Sequence, residues 1–138
     1  MFYSQHGEDE KLNELFERIG VRKGRFVEFG AWDGVFMSNC YYFYEAGWDG
    51  IYIEGNPAKF ADLRKNAPRA ELIQAWVGFE KHGTLLDDLV RSSNRHFELL
   101  SLDIDSDDLA VFESIRTLTF SAVVIEYNPT IPIGIEFR

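Results

Sequence analysis

The residues best placed to do chemistry are carboxylates that close short apolar runs. Glu28 lies in Arg25-Phe26-Val27-Glu28-Phe29-Gly30-Ala31-Trp32-Asp33-Gly34, and Glu54 in Ile51-Tyr52-Ile53-Glu54-Gly55-Asn56-Pro57. Asp103 and Asp105 end Ser101-Leu102-Asp103-Ile104-Asp105. An acid that ends the second strand of a βα unit, roughly 20 residues after a glycine loop, is placed to hold ribose hydroxyls. Gly30 and Gly34 suit a loop that meets a ligand through its backbone, where a Cβ would intrude. Asp103 and Asp105 share one face of a strand end, because side chains alternate with period two. Together they are placed to take a proton or to hold a divalent ion. The competing reading is that Asp105 or Ser106 caps the next helix while Asp107 and Asp108 complement its dipole. Glu126, Tyr127 and Asn128 fall on the same edge, and either line an acceptor pocket or end the fifth strand before Pro129.

The loop narrows the ligand. A dinucleotide site wants Gly-x-Gly-x-x-Gly, so that pyrophosphate can approach a helix N-terminus. Here the middle glycine position is Trp32, and Asp33 would repel a phosphate. S-adenosylmethionine carries no phosphate and has a cationic sulfonium and an ammonium. Glu28 and Asp33 suit it better than they suit NAD, so a nucleotide-dependent oxidoreductase is disfavoured.

Strand-and-helix punctuation must position these groups. Leu12, Leu15, Phe16 and Ile19 sit at i, i+3, i+4 and i+7, one face of a helix ending near Gly20. The preceding Ser4–Asp9 stretch reads as a solvated helix start, with His6 on the surface. Strands are expected over 25–29, 50–54, 72–77, 97–104 and 122–125. Ser38 or Asn39 caps a short aromatic helix that turns out at Gly47. Asn56 is the cap and Pro57 the first position of the next helix. Leu85, Leu86, Leu89 and Val90 mark another helix, and Leu109, Phe112 and Ile115 the apolar side of the last. Ala122-Val123-Val124-Ile125 reads as a fully buried parallel strand. Alternating strands and helices predict a three-layer α/β/α, Rossmann-like domain with five parallel strands in the order 3-2-1-4-5.

The 138 residues suffice for one domain, and 46% hydrophobic content is that of a globular chain. A net charge of −9 argues against nucleic acid or an anionic membrane as the main partner. The lone Cys40 excludes an internal disulfide and reads as a small buried hydrophobe in a reducing, cytoplasmic setting.

The order Ser4-Gln5-x-Gly7-Glu8-Asp9, Phe26-Val27-Glu28-Phe29-Gly30-Ala31-x-Asp33-Gly34, Ser38-Asn39, Gly47-Trp48-x-Gly50-Ile51-x-Ile53-Glu54-x-Asn56-Pro57 and Ser101-Leu102-Asp103-Ile104-Asp105 resembles FkbM-type methyltransferases. The resemblance covers about residues 3 to 130. It implies a class I, S-adenosylmethionine-dependent enzyme, often acting on oxygen, with a small-molecule or carbohydrate acceptor. It also implies that Glu28, Gly30 and Gly34 surround the methionine part of the cofactor, and that Glu54 binds the ribose. Ala75 and Trp76 would contact adenine, and Asp103 and Asp105 would lie beside the methyl group as the catalytic pair. Trp32 and Ser106 depart from the pattern, where relatives often carry Asn and Gly. A noncatalytic module with the same fold is the competing function. Such enzymes continue with a further helix and two strands, so the single domain 1–138 is expected to be shortened. Its fifth-strand edge would then pair in a homodimer or be covered by the C-terminal segment.

Overall fold

The computed structural model describes residues 1–103 and 107–125. The elements run α1 (Glu8–Arg18), β1 (Arg25–Phe29), α2 (Tyr41–Glu45), β2 (Asp49–Glu54), α3 (Pro57–Asn66), β3 (Glu71–Gln74), α4 (Leu86–Leu89), β4 (His96–Leu102), α5 (Asp108–Ser114) and β5 (Thr119–Ile125). The five strands form one sheet in the order β3-β2-β1-β4-β5, and every neighbouring pair is parallel. This is the order that the alternating pattern predicts.

Register sets which side chains share a face. Tyr52, Glu28 and Ser101 stand in one cross-strand row, since Glu28 pairs with Tyr52 on β2 and with Ser101 on β4. Phe26, Tyr52 and Leu99 pack with Leu12, Phe16, Phe43, Tyr44, Trp48 and Leu63, which places α1, α2 and α3 over one face. Val27, Phe29, Ile51, Ile53, Leu100 and Leu102 pack with Leu86, Val90 and Val111, which places α4 and α5 over the other. The chain changes face where it crosses from β3 to β4, as right-handed crossovers require when strand order reverses.

Local signals explain the element ends. The Asn56 side chain accepts from the amides of Ala58 and Lys59 at 3.0 and 3.1 Å, and Pro57 opens α3. The Ser38 hydroxyl accepts from Cys40 and Tyr41 amides ahead of α2. Gly47 follows α2 with φ 94°. Cys40 is buried and His6 exposed, as expected.

Four expectations are corrected. In α1 only Asp9, Leu12 and Phe16 are buried, while Leu15 and Ile19 face solvent. The helix touches the domain along a narrow seam, so the wider stripe has nothing to pack on. In α5 the buried positions are Asp108 and Val111, whereas Leu109 is 61% exposed and Phe112 also faces out. A helix of seven residues presents less than two turns, too few for spacing to fix its inner face. None of β5 is fully buried; its pattern is at best half-buried because β4 is its partner among the described residues. β3 stops at Gln74 and β4 at Leu102, shorter than expected, as the chain leaves the sheet toward its carboxyl edge.

Candidate functional site at the carboxyl edge of the sheet

Between β1 and β4 the strand order reverses, and the carboxyl ends of the two strands diverge into the crevice where open α/β sheets bind ligands. The Asp103 amide still donates to the Phe29 carbonyl at 3.4 Å, so the chain leaving β4 begins beside the loop leaving β1. Asp105, Glu126, Tyr127 and Asn128 lie outside the described residues.

The loop after β1 is tightly built. Gly30 and Gly34 adopt φ 68° and 82°. The positive φ favours glycine at Gly34, and a Cβ there would lie 2.5 Å from Leu63 Cδ1, so that methyl would have to move. Trp32 adopts φ 54° and Met37 φ 57°, a region that non-glycine residues rarely occupy. The Ala31 amide donates to the Ile53 carbonyl at 3.2 Å, which seats the loop on the end of β2. Asp33 is half-buried in this loop and helps to shape it. Its Oδ1 accepts the amides of Val35 and Phe36 at 2.9 and 2.8 Å, an Asx turn that closes the loop.

Two buried carboxylates sit at this edge. Glu54 is 5% exposed; one oxygen accepts the Trp32 amide at 2.9 Å and the other the Asn56 amide at 3.1 Å. A carboxylate has about four acceptor sites, so capacity for two further donors remains. Glu28 is 4% exposed and accepts the Ser38 hydroxyl at 2.7 Å and the Asn39 amide at 3.0 Å. Burial pushes its carboxyl up to about 7, against these hydrogen bonds, which favour the charged form. Asn39 Nδ2 donates in turn to Ser101 Oγ at 3.0 Å, tying the turn to β4.

Ala75 follows β3 and donates its amide to the Glu54 carbonyl at 3.1 Å. The Trp76 ring lies flush against Gly55, where an added Cβ would come within 2.1 Å of Cδ2. The indole is nevertheless 70% exposed. Across the edge, Lys59 Nζ sits 4.7 Å over the Trp32 ring.

Sequence reasoning missed Ser4 and Asp9. Asp9 is wholly buried rather than solvated. Its Oδ2 accepts the amides of Tyr3 and Ser4 at 2.5 and 3.2 Å, and its Oδ1 accepts the Ser4 hydroxyl at 2.5 Å. The Ser-x-x-x-x-Asp spacing ahead of a helix was the available signal. Among the described residues no three His, Cys, Asp or Glu side chains converge as a metal-ligand set, and no helix is long and apolar enough to cross a membrane.

A cavity of about 430 Å³ opens at the opposite, amino edge. It is lined by Arg25, Arg69 and Arg91 together with Asp49 and Glu71. Arg25 is held there by Ser92 and two backbone carbonyls, and Arg69 by the Tyr44 carbonyl.

The fold and its switch point define a doubly wound, Rossmann-like α/β domain. No family model and no curated protein matches the chain. Among solved structures it is similar to a TehB-like SAM-dependent methyltransferase from Corynebacterium glutamicum, with 14% identity and TM-score 0.47 over 71% of this chain and 44% of that one. It is also similar to the C-terminal domain of precorrin-6Y C5,15-methyltransferase from Rhodobacter capsulatus, with 19% identity and TM-score 0.48 over 67% and 46% of the two chains. The chain thus spans less than half the length of either protein.

Proposed function

We propose that the chain binds S-adenosylmethionine at the carboxyl edge and directs methyl transfer to a hydroxyl oxygen of a small molecule or carbohydrate. The observation that carries the reading is the pair of buried carboxylates, Glu28 and Glu54, which flank a left-handed loop at the ends of adjacent strands. Such a pair opposes a pyrophosphate and suits a cationic nucleoside. Glu54 is assigned the ribose hydroxyls, through the acceptor capacity left by Trp32 and Asn56. Glu28, Gly30 and Gly34 are assigned the methionine part, and Ala75 with the exposed face of Trp76 the adenine.

When bound, S-adenosylmethionine supplies a methyl group already activated by its sulfonium. The protein's task is then to align the acceptor and exclude water. Asp103, with Asp105, is assigned the acceptor's proton, a role that contributes roughly 10²–10⁴-fold.

Calorimetric titration of the full chain with S-adenosylhomocysteine and with NAD tests this reading. Saturable binding of the first and none of the second is expected. Binding of NAD alone, or of neither, overturns it. Methyl transfer to a panel of hydroxyl acceptors then tests the oxygen assignment.

A further inference from the structure

The turn between the loop and α2, Met37 to Asn39, is gripped from two sides by buried carboxylates. On one side Glu28 accepts from Ser38 and Asn39. On the other, Ser4 pairs in parallel with Met37, and Ser4 is itself held by Asp9 through its amide and its hydroxyl. The Asp9 amide returns a bond to Ser4 Oγ at 3.2 Å, so the Ser4–Asp9 link is reciprocal. The same N-terminal segment is fixed to α2. Tyr3 Oη donates to Glu45 at 2.6 Å, the Tyr3 ring meets Tyr41 edge-on, and Phe2 packs on Tyr42. Met37 occupies the left-handed region, a conformation that persists only where the surroundings over-determine it. Ser4 on one side and Ser38 with Asn39 on the other supply that determination.

We infer that Ser4 and Asp9 are positioning residues for the ligand loop. Residues 3–9 form a strap that sets the Met37–Asn39 turn, and through Ser38 and Asn39 the orientation of the Glu28 carboxyl. Among the described residues its hydrogen bonds and ring contacts go to the Met37 pairing, to α2 and to its own segment. Its effect reaches the edge through one backbone pairing and two hydrogen bonds. The ligand consequence rests on the function proposed above; the coupling within the protein does not.

The test uses the full chain with Ser4→Ala, Asp9→Ala and, as a control, Leu12→Ala, which removes core packing from the same helix without touching the strap. Amide hydrogen exchange by NMR reads the Asn39 amide, the donor to Glu28. Ser4→Ala and Asp9→Ala are expected to speed its exchange by about tenfold relative to β1 and β4 amides, the effect of losing one net hydrogen bond. Leu12→Ala should change all these amides in parallel, and Ser4→Thr, which keeps the hydroxyl, should restore protection. Affinity for S-adenosylhomocysteine should fall in Ser4→Ala and not in Leu12→Ala. Unchanged Asn39 protection in folded Ser4→Ala, or equal selective loss in Leu12→Ala, overturns the inference. If the unaltered chain does not bind S-adenosylhomocysteine, the proposed function fails while the exchange comparison still decides the strap.

Discussion

The backbone amide of Trp32 donates to the Glu54 carboxylate at 2.9 Å, joining the loop after β1 to the end of β2. One carboxylate thereby shapes the loop, and its remaining lone pairs are those that the proposed function assigns to ribose hydroxyls. Glu54→Gln keeps one amide-accepting oxygen but turns the other position into a donor facing the Asn56 amide. Removing a charged acceptor from paired hydroxyls costs about 1.5–3 kcal/mol per hydrogen bond. Affinity for S-adenosylhomocysteine should therefore fall by at least about tenfold. Titration calorimetry on the folded variant checks this, and unchanged affinity would remove Glu54 from the ribose assignment.

Trp32 reaches Glu54 only by adopting φ 54°. Its side chain is 44% exposed and has Lys59 over one face, so replacing it also gives up the covered part of the indole. A β-branched residue is least tolerant of this region. Trp32→Ile should lower stability by about 1–2 kcal/mol, the usual cost of such strain. Trp32→Gly gives up the indole as well, but it relieves the strain while adding freedom to the unfolded chain, so the backbone contribution to its loss should be within about 1 kcal/mol of zero. Urea denaturation of both variants separates the two outcomes; equal losses would show that the indole, not the backbone, matters.

The strand order was legible because strands and helices alternate along the chain, and Asn56-Pro57 carries its mechanism in the sequence; the end of β3 at Gln74 was not, since no breaker follows it before Gly78. The inner face of α5 was not: Leu109 and Phe112 match a helical spacing as well as Val111 does, and only tertiary contact chooses among them. The apolar run in β5 fits a central or an outer strand equally, because periodicity does not report neighbours. Of the site, Glu28 and Glu54 were visible as acids ending strands. Asp33 was visible as a loop carboxylate, but not the Asx turn that its Oδ1 makes with Val35 and Phe36, because such a turn has no spacing of its own. Asp9 was misread as solvated because an acid in a first helical turn is ordinarily exposed, and the spacing from Ser4 does not by itself show that Tyr3 and Ser4 fold back on it.

Glu28 gives the domain a stability term of unusual sign for a carboxylate. Its folded-state pKa is raised, by burial first, from 4.5 to about 7. Between these values the folded state holds a proton that the unfolded state has released. The contribution is thus fully present below pH 4.5 and lost as pH rises through about 7. Denaturation midpoints of the unaltered chain and Glu28→Gln, compared from pH 4 to pH 8, should converge or cross in that direction, with Glu28→Gln lacking the decline. A cationic ligand beside Glu28 would displace the proton, so its affinity should rise over the same interval.

Asp87 behaves in the opposite sense. It sits on α4, and its carboxylate gathers the segment that leads into β5. Oδ2 accepts the Arg116 amide at 2.7 Å, while Oδ1 accepts the Thr117 amide at 3.1 Å, the Thr117 hydroxyl at 2.8 Å and the Leu118 amide at 3.2 Å. Arg95 reinforces the arrangement, bonding the Asp87 carbonyl and the Thr117 hydroxyl. Burial raises the carboxyl's pKa, but the donors from Arg116, Thr117 and Leu118 outweigh it and hold the value below 3.8. The resulting stability is present above the ordinary carboxylate pKa and is lost as pH falls through the depressed folded value. Asp87→Asn replaces one oxygen with a donor that faces other donors, at about 1–3 kcal/mol for the polar groups left unpaired. Because the amides it holds immediately precede β5, the loss should appear first as faster exchange along Thr119–Ile125. Equal exchange in the variant and the unaltered chain at pH 7, or an acid limb as steep in Asp87→Asn as without it, would show that the β4–β5 ladder holds the last strand without this staple.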